Sequence, residues 1–152
     1  MTPREIHAEI AIDASPARVW HVLTDLAGYA RWNPFMREAS GVVAPGATLR
    51  VRVDLPNQLD KVFTPRIVTV TPQRELTWIG RLVVPGLFDG EHAFFVEPLD
   101  GGRRTLFIQH ENFSGFFLPL FGAEMEAATR RGFQAMNAAL KHEAERLAVA
   151  HS

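Results

Sequence analysis

Residues 90–113 read GEHAFFVEPLDGGRRTLFIQHENF, with Gly101-Gly102 near the middle. On both sides of that glycine pair apolar and polar residues alternate, the period of two that sends successive side chains to opposite faces of a strand. A Gly-Gly step supplies the left-handed backbone that a tight hairpin turn demands. A turn closing there pairs Leu99 with Arg104, Val96 with Phe107, Phe94 with Gln109 and His92 with Glu111. One face of the hairpin is then aromatic and apolar, with His92, Gln109 and Glu111 gathered toward one end.

Toward the N-terminus the pattern repeats. Turn signals at Pro45-Gly46, Pro56-Asn57, Pro72-Gln73 and Pro85-Gly86 cut the chain into further strands near 36–43, 48–54, 61–71 and 75–83. The Pro72-Gln73 turn predicts Thr69 opposite Leu76, Ile67 opposite Trp78 and Pro65 opposite Gly80. The loop around Pro85-Gly86 is longer, and placing Trp78 beside Phe94 and Gly80 beside His92 lets all the hairpins agree on one inward face. The outward face carries Arg66, Thr77, Arg81 and Glu97, as a solvated face should. Phe95 and Ile108 are the apolar exceptions there, pointing to an oligomer contact such as a homodimer or to cover by another segment.

Both ends of the chain complete the plan. Residues 4–13 alternate, with Ile6, Ala8, Ile10 and Ile12 on one face, which is a half-buried strand. Ser15-Pro16 reads as an N-cap followed by a first-turn proline, opening a short helix through Val19, Trp20, Val22 and Leu23. A second short helix holds Tyr29 and Trp32, between Gly28 and Pro34. From Gly122 onward to Ala150 the one further breaker is Gly132. At about 100° per residue, Leu118, Phe121, Met125, Thr129, Gly132, Met136, Leu140 and Leu147 form one stripe, with Phe133 beside it. A helix of that kind needs a broad apolar partner. The expected architecture is therefore α+β: a seven-stranded curved antiparallel sheet wrapped around a long C-terminal helix, with two short helices after the first strand, in one domain over residues 1–152.

Composition narrows the function. Of 152 residues, 47% are hydrophobic and 22% charged, ordinary for a globular chain rather than a disordered one. The net charge of −1 offers no overall basic field for nucleic acid or an anionic membrane. With no cysteine, disulfides, Cys-based zinc sites, iron–sulfur clusters and thiol nucleophiles are excluded. Charges occupy the first residues where a secretion signal would be apolar, and no run approaches the roughly 20 apolar residues of a membrane span. A cytoplasmic location without integral membrane contact is the expectation. Aromatic usage is lopsided, 11 Phe and 3 Trp against 1 Tyr, so the interior is greasy and poor in hydroxyls.

Three stretches carry a family resemblance. EIAIDASPARVWHVLTDLAGYARWNP (9–34), RELTWIGRLVVPGLFDGEHAFFVEPLDGG (74–102) followed by QHENFSG (109–115), and TRRGFQAMNAALKHEAE (129–145) together span nearly the whole chain. They resemble the helix-grip fold of the START and birch-pollen-allergen-like superfamily, in its bacterial polyketide cyclase/dehydrase-like branch. The resemblance implies a cavity between the long helix and the sheet, open at one end, for a small hydrophobic ligand that is aromatic, polyketide-like or lipid-like. It is specific for fold and weak for function, because one fold hosts carriers, cyclases and receptors.

The residues agree with that expectation. Candidate ligand-lining residues on the sheet are Ile67, Trp78, Gly80, Leu82, Phe94, Phe107, Gln109 and Phe113, and on the helix Phe121, Met125, Thr129, Gly132, Phe133 and Met136. Gly80 and Gly132 remove side chains from facing walls, for a cavity or, alternatively, for a strand bend at Gly80 and close helix–sheet packing at Gly132. His92 and Glu111 are the candidate acid/base pair, the carboxylate orienting the ring, or else a structural polar pair. Gln109 orients but does not usefully move protons. Asn137, at the edge of the helix stripe, could reach a ligand or serve at the solvent boundary. His7, His21, His142 and His151 read as surface residues and His110 points away from His92, so no metal site and no cofactor are expected. The arginines at 50, 52, 66 and 81 are interleaved with acids, as on a solvated face. Apolar segments 83–89 and 116–121 are expected to form an entrance to the cavity, or a plug or an oligomer interface. Two readings of function follow: binding of a hydrophobic ligand, or a cyclase, aromatase or dehydratase that uses His92 and Glu111. A protein-binding role of the convex face is a third.

Overall fold

The computed structural model describes residues 4–54, 61–81, 89–114 and 122–150. Its strands are β1 (Arg4–Ile12), β2 (Met36–Ser40), β3 (Arg50–Val53), β4 (Lys61–Phe63), β5 (Arg66–Thr71), β6 (Glu75–Arg81), β7 (Asp89–Leu99) and β8 (Arg104–Ser114). Its helices are α1 (Pro16–Thr24), α2 (Tyr29–Trp32) and α3 (Ala123–Ala150), with 3₁₀ turns at Leu26–Gly28 before α2 and at Asp100–Gly102 between β7 and β8.

Local chemistry explains the N-terminal elements. The Ser15 hydroxyl accepts from Arg18 N at 3.2 Å, satisfying one free donor of α1, and Pro16 fills a first-turn position where no N–H is needed. Val19, Val22 and Leu23 face the core. The only tyrosine is structural: buried Tyr29 donates its hydroxyl to the carbonyl oxygen of Leu23. Burial, with Asp25 nearby, pushes that phenol well above its ordinary range. The Asn33 side-chain oxygen accepts from the backbone N–H of Phe35 at 3.0 Å and Met36 at 2.8 Å, turning the chain from α2 into β2.

The strands form an antiparallel sheet in the order β1-β8-β7-β6-β5 and a smaller one in the order β2-β3-β4. Residues 46–49, just before β3, join them: Gly46 N donates to Ile67 O, Ile67 N to Ala47 O and Leu49 N to Pro65 O, each at 2.8 Å. The expected seven-stranded curved sheet is thus eight described strands in two connected parts. The extra strand arises because 61–71 breaks at Thr64-Pro65 into β4 and β5. Proline has no ladder donor, and at that point the chain changes partners from β3 to β6.

Registers test the hairpin reading. The β7–β8 pairs are as read, from Leu99–Arg104 to His92–Glu111. Gly101 (φ 68°) and Gly102 (φ 89°) take the left-handed conformation that requires glycine there. Between β5 and β6 the Ile67–Trp78 pair is present, but Thr69 faces Thr77 and Leu76 faces Val70. The turn leaves residues 72–74 outside the ladder, with Gln73 at φ 62°, and a bulge at Val68 absorbs the difference. Between β6 and β7 the expected register is displaced by two residues: Trp78 faces His92, Leu76 faces Phe94 and Gly80 faces Gly90. An even displacement keeps every side chain on its expected face. The turn around Pro85-Gly86 lies outside the described residues.

Helix α3 lies across β1 and α1. It buries Phe133, Met136, Leu140 and Ala144 against Ile6, Ile12, Phe94 and Phe107 in one core. Two polar fastenings set its position. Asp13 N donates to Glu145 Oε2 at 2.8 Å, and Glu143 receives Arg146 at 2.6 Å and Arg31 of α2 at 3.2 Å. On the outer face Thr77, expected to be solvated, is buried between Thr69 and Ala93 and donates to Glu75 at 2.7 Å. Phe95 and Ile108 pair with each other there and are half-buried. No helix of the described residues is long and apolar enough to cross a membrane. The architecture is α+β, a curved antiparallel sheet closed by a long C-terminal helix, which is the helix-grip fold.

Candidate functional site

Four polar side chains from three elements form one chain through the aromatic interior. Glu111 Oε1 lies 3.3 Å from His92 Nδ1, His92 Nε2 lies 3.0 Å from Gln109 Oε1, and Gln109 Nε2 donates to Asn137 Oδ1 at 2.7 Å. Gln109 Nε2 also donates to the backbone oxygen of Phe133 at 3.3 Å. The hairpin register creates the first half: His92 faces Glu111 across β7–β8, and Gln109 precedes Glu111 by two residues on the same face. Helix α3 supplies the second half, with Phe133 and Asn137 one turn apart over Gln109.

Hydrogen-bond directions follow from the one partner that cannot flip. The Phe133 carbonyl only accepts, so Gln109 turns its amide nitrogen to the helix and its oxygen to His92. His92 Nε2 must therefore carry a proton. The facing Nδ1 is the ring nitrogen that stands against Glu111 Oε1, and the two form an ion pair only when the ring is protonated on both nitrogens.

The His92 ring is sealed. It is 2% exposed and packs against Phe94, Phe133 and Trp78 at centroid distances of 4.4, 4.9 and 5.6 Å. Glu111, with its side chain 15% exposed, is the member that reaches an opening. Its Oε2 lies 2.7 Å from where a Cβ on Gly90 would sit, so glycine at 90 makes the room that this carboxylate occupies. Among the described residues, a Cβ added to Gly80, which pairs with Gly90, would meet nothing within 4 Å. At this end β6, β7, β8 and α3 lead into residues 82–88 and 115–121, which lie outside the described residues.

The sequence candidates therefore separate. Ile67, Phe94, Phe107, Phe133 and Met136 are completely buried and fill the middle of the core, and Phe113 and Trp78 are nearly so. Thr129 uses its hydroxyl on its own helix, donating to Met125 O at 2.8 Å, while Met125 is half-buried. Gly132 has no empty space above it: an added Cβ would meet the Phe35 ring at 2.3 Å, so its missing side chain serves close packing and opens no cavity. Leu82 and Phe121, with the two apolar segments expected to form an entrance except for Asp89 at the start of β7, lie outside the described residues. Sequence reading passed over Gly90, whose signal, a glycine opposite Gly80, was hidden by the displaced register. Asn137 is fully in the network rather than at the solvent boundary.

The remaining ionisable groups stand apart. His7 bonds Glu9 at the surface, and His110 on the outer face bonds Asn112. Among the described residues no group of three metal-ligating side chains is placed to hold a metal ion. A surface cleft of about 570 Å³ lies elsewhere, between the Trp20–Ala27 region and Ala39–Val43, and shares Leu26, Ala27, Ala39 and Ser40 with a smaller one bordered by Arg50 and Arg52.

Fold and sequence together define the class, a helix-grip protein. The chain belongs to the family described as polyketide cyclase/dehydrase and lipid transport, which it matches over residues 3–145. Its structure is similar to the ZhuI aromatase/cyclase from Streptomyces sp. R1128 at TM-score 0.78 and 24% identity, covering 95% of each chain. It is similar to a START superfamily protein from Mycobacterium smegmatis at TM-score 0.75 and 19% identity, covering 94% of this chain and 98% of that one. It is also similar to norcoclaurine synthase from Thalictrum flavum at TM-score 0.70 and 13% identity, covering 99% and 89%. At these identities the likeness is one of fold. No curated protein matches the chain in sequence.

Proposed function

We propose that this protein binds a small hydrophobic ligand, aromatic, polyketide-like or lipid-like, between the sheet and α3 at the Gly80–Gly90 end. The observation that carries the reading is that pair of inward glycines, aligned across β6 and β7 beside the Glu111 carboxylate. Side chains fill the core from Phe94 to Leu140, so the ligand belongs at the end where Gly80 leaves space and Glu111 reaches an opening. Membership in a cyclase and lipid-transport family supports a ligand of this kind.

A second reading is favoured by the His92–Glu111 contact. A cyclase, aromatase or dehydratase needs a group that takes a proton and returns it, and a carboxylate coupled to a buried imidazole is equipped for this. Native mass spectrometry of the purified protein, compared with Gly80→Trp, tests the primary reading. The expected result is a bound small molecule in the parent and none in the folded variant. Equal loading of both refutes the site. Turnover of the captured molecule that survives Glu111→Gln refutes the catalytic reading.

A further inference from the structure

We infer that Glu111 Oε2 accepts a hydrogen bond from a neutral hydroxyl on the ligand, while His92, locked by Gln109, positions Glu111 without touching the ligand. The inference rests on the ligand site proposed above and specifies what that site recognises.

Bond accounting within the network carries it. His92 has two ring nitrogens, and both are engaged: Nε2 with Gln109 and Nδ1 with Glu111. The ring is 2% exposed behind Trp78, Phe94 and Phe133, so no face of it is open to a ligand. Gln109 is likewise closed, its oxygen on His92 and its nitrogen on α3. Glu111 Oε1 faces His92, and among the described residues Oε2 has no hydrogen-bond partner. That oxygen lies over Gly90, next to the space left by Gly80. The network thus presents one acceptor and no donor.

The acceptor selects by chemistry. A ligand hydroxyl, phenolic or enolic, supplies the missing donor. An anion brings a second acceptor against the carboxylate and is repelled. Apolar surroundings then take up the rest of the ligand by shape. His92 acts through Glu111: with the ring held by Gln109, Oε1 is held by the ring, and Oε2 is aimed at the clearing.

Naphthalene, 2-naphthol and 2-naphthoate serve as probes of matched size, with binding followed by calorimetry. 2-Naphthol is expected to bind about tenfold more tightly than naphthalene, the lower end for a hydrogen bond to a charged group, and 2-naphthoate more weakly than either. Glu111→Leu should abolish the preference. Gly90→Ala, which forces Oε2 aside, should do the same in a fold that retains the carboxylate. Nitrogen-15 spectra of His92 provide a readout that a purely structural role would not move: Nε2 is expected to keep its proton and its shift upon 2-naphthol binding while the Glu111 carboxyl carbon shifts. Equal binding of naphthol and naphthalene, or a preference that survives both variants, overturns the inference and leaves the ligand site standing. A His92 Nε2 that is unprotonated or shifts with the ligand overturns the positioning role. Failure of both neutral probes to bind overturns the site and this inference together.

Discussion

Gly132→Ala should destabilise this protein, although in most helices the same change does the opposite. In an exposed helix interior, alanine gains about 0.8–1 kcal/mol over glycine. At 132 the new methyl would lie 2.3 Å from Phe35 Cδ1 and 2.4 Å from Cε1. Carbon atoms rest at about 3.5–4.0 Å, so more than an ångström must be found. Phe35 cannot swing away freely: it is 6% exposed and packs edge-on against Phe133, 5.7 Å between centroids. Overpacking of a core costs about 1–3 kcal/mol, and the short distances favour the upper part of that range. The net loss is then about 1–2 kcal/mol. In urea unfolding, with a slope of about 2 kcal/mol/M, the midpoint should fall by roughly 0.5–1 M at unchanged slope. Phe35→Leu should be less harmful in the alanine background than in the parent, since the smaller side chain relieves the clash. A Gly132→Ala protein as stable as the parent, or more stable, would show that Phe35 does not press on α3 there.

Two pH effects follow from buried partners. Burial raises the Tyr29 phenol above its ordinary value of 10.0, so its contribution is complete below that pH and is lost as pH rises through the folded-state value. Ultraviolet titration of this single tyrosine should show the phenolate appearing only with unfolding, and a phenolate forming near pH 10 in the native protein would contradict its burial. Glu143 is held below the ordinary carboxylate value of 4.5 by its hydrogen bond with Arg146 and by the two arginine charges, so its stabilisation is present above that pH and is lost as pH falls through the lower folded-state value. Glu143→Gln should therefore cost stability at neutral pH, about 1 kcal/mol given that both arginines are more than half exposed, and nearly nothing in strong acid. A cost independent of pH would assign the effect to packing.

Much of the site was legible in local pattern because hairpin geometry is local. The Gly101-Gly102 turn lies between the strands it pairs, so His92–Glu111 and Phe94–Gln109 follow from counting along one stretch. Across β6–β7 the connection is longer, and counting missed by two residues, enough to conceal the Gly80–Gly90 pair while leaving the faces of these two strands correct. At Pro72 the loop took one residue more than a two-residue turn, and the bulge at Val68 restored the pairing by Ile67–Trp78. Face is a parity and survives even errors; register is a distance and does not.

Periodicity, capping residues and turn chemistry settle the element order, the inward face of the sheet and the stripe of α3, because each depends on residues a few positions apart. They also place His92, Gln109 and Glu111 together at one end of an aromatic face. Which of those groups remains open was decided by the docking of α3. Asn137 and the Phe133 carbonyl come from some 24–28 residues further along the chain, and their arrival closes Gln109, orients its amide and thereby fixes the proton on His92 Nε2. The tertiary packing also resolves the two glycines that looked alike in sequence: Phe35 fills the space at Gly132, while among the described residues nothing comes within 4 Å of a Cβ at Gly80. Such outcomes depend on contacts between distant segments, whose distances no local pattern encodes.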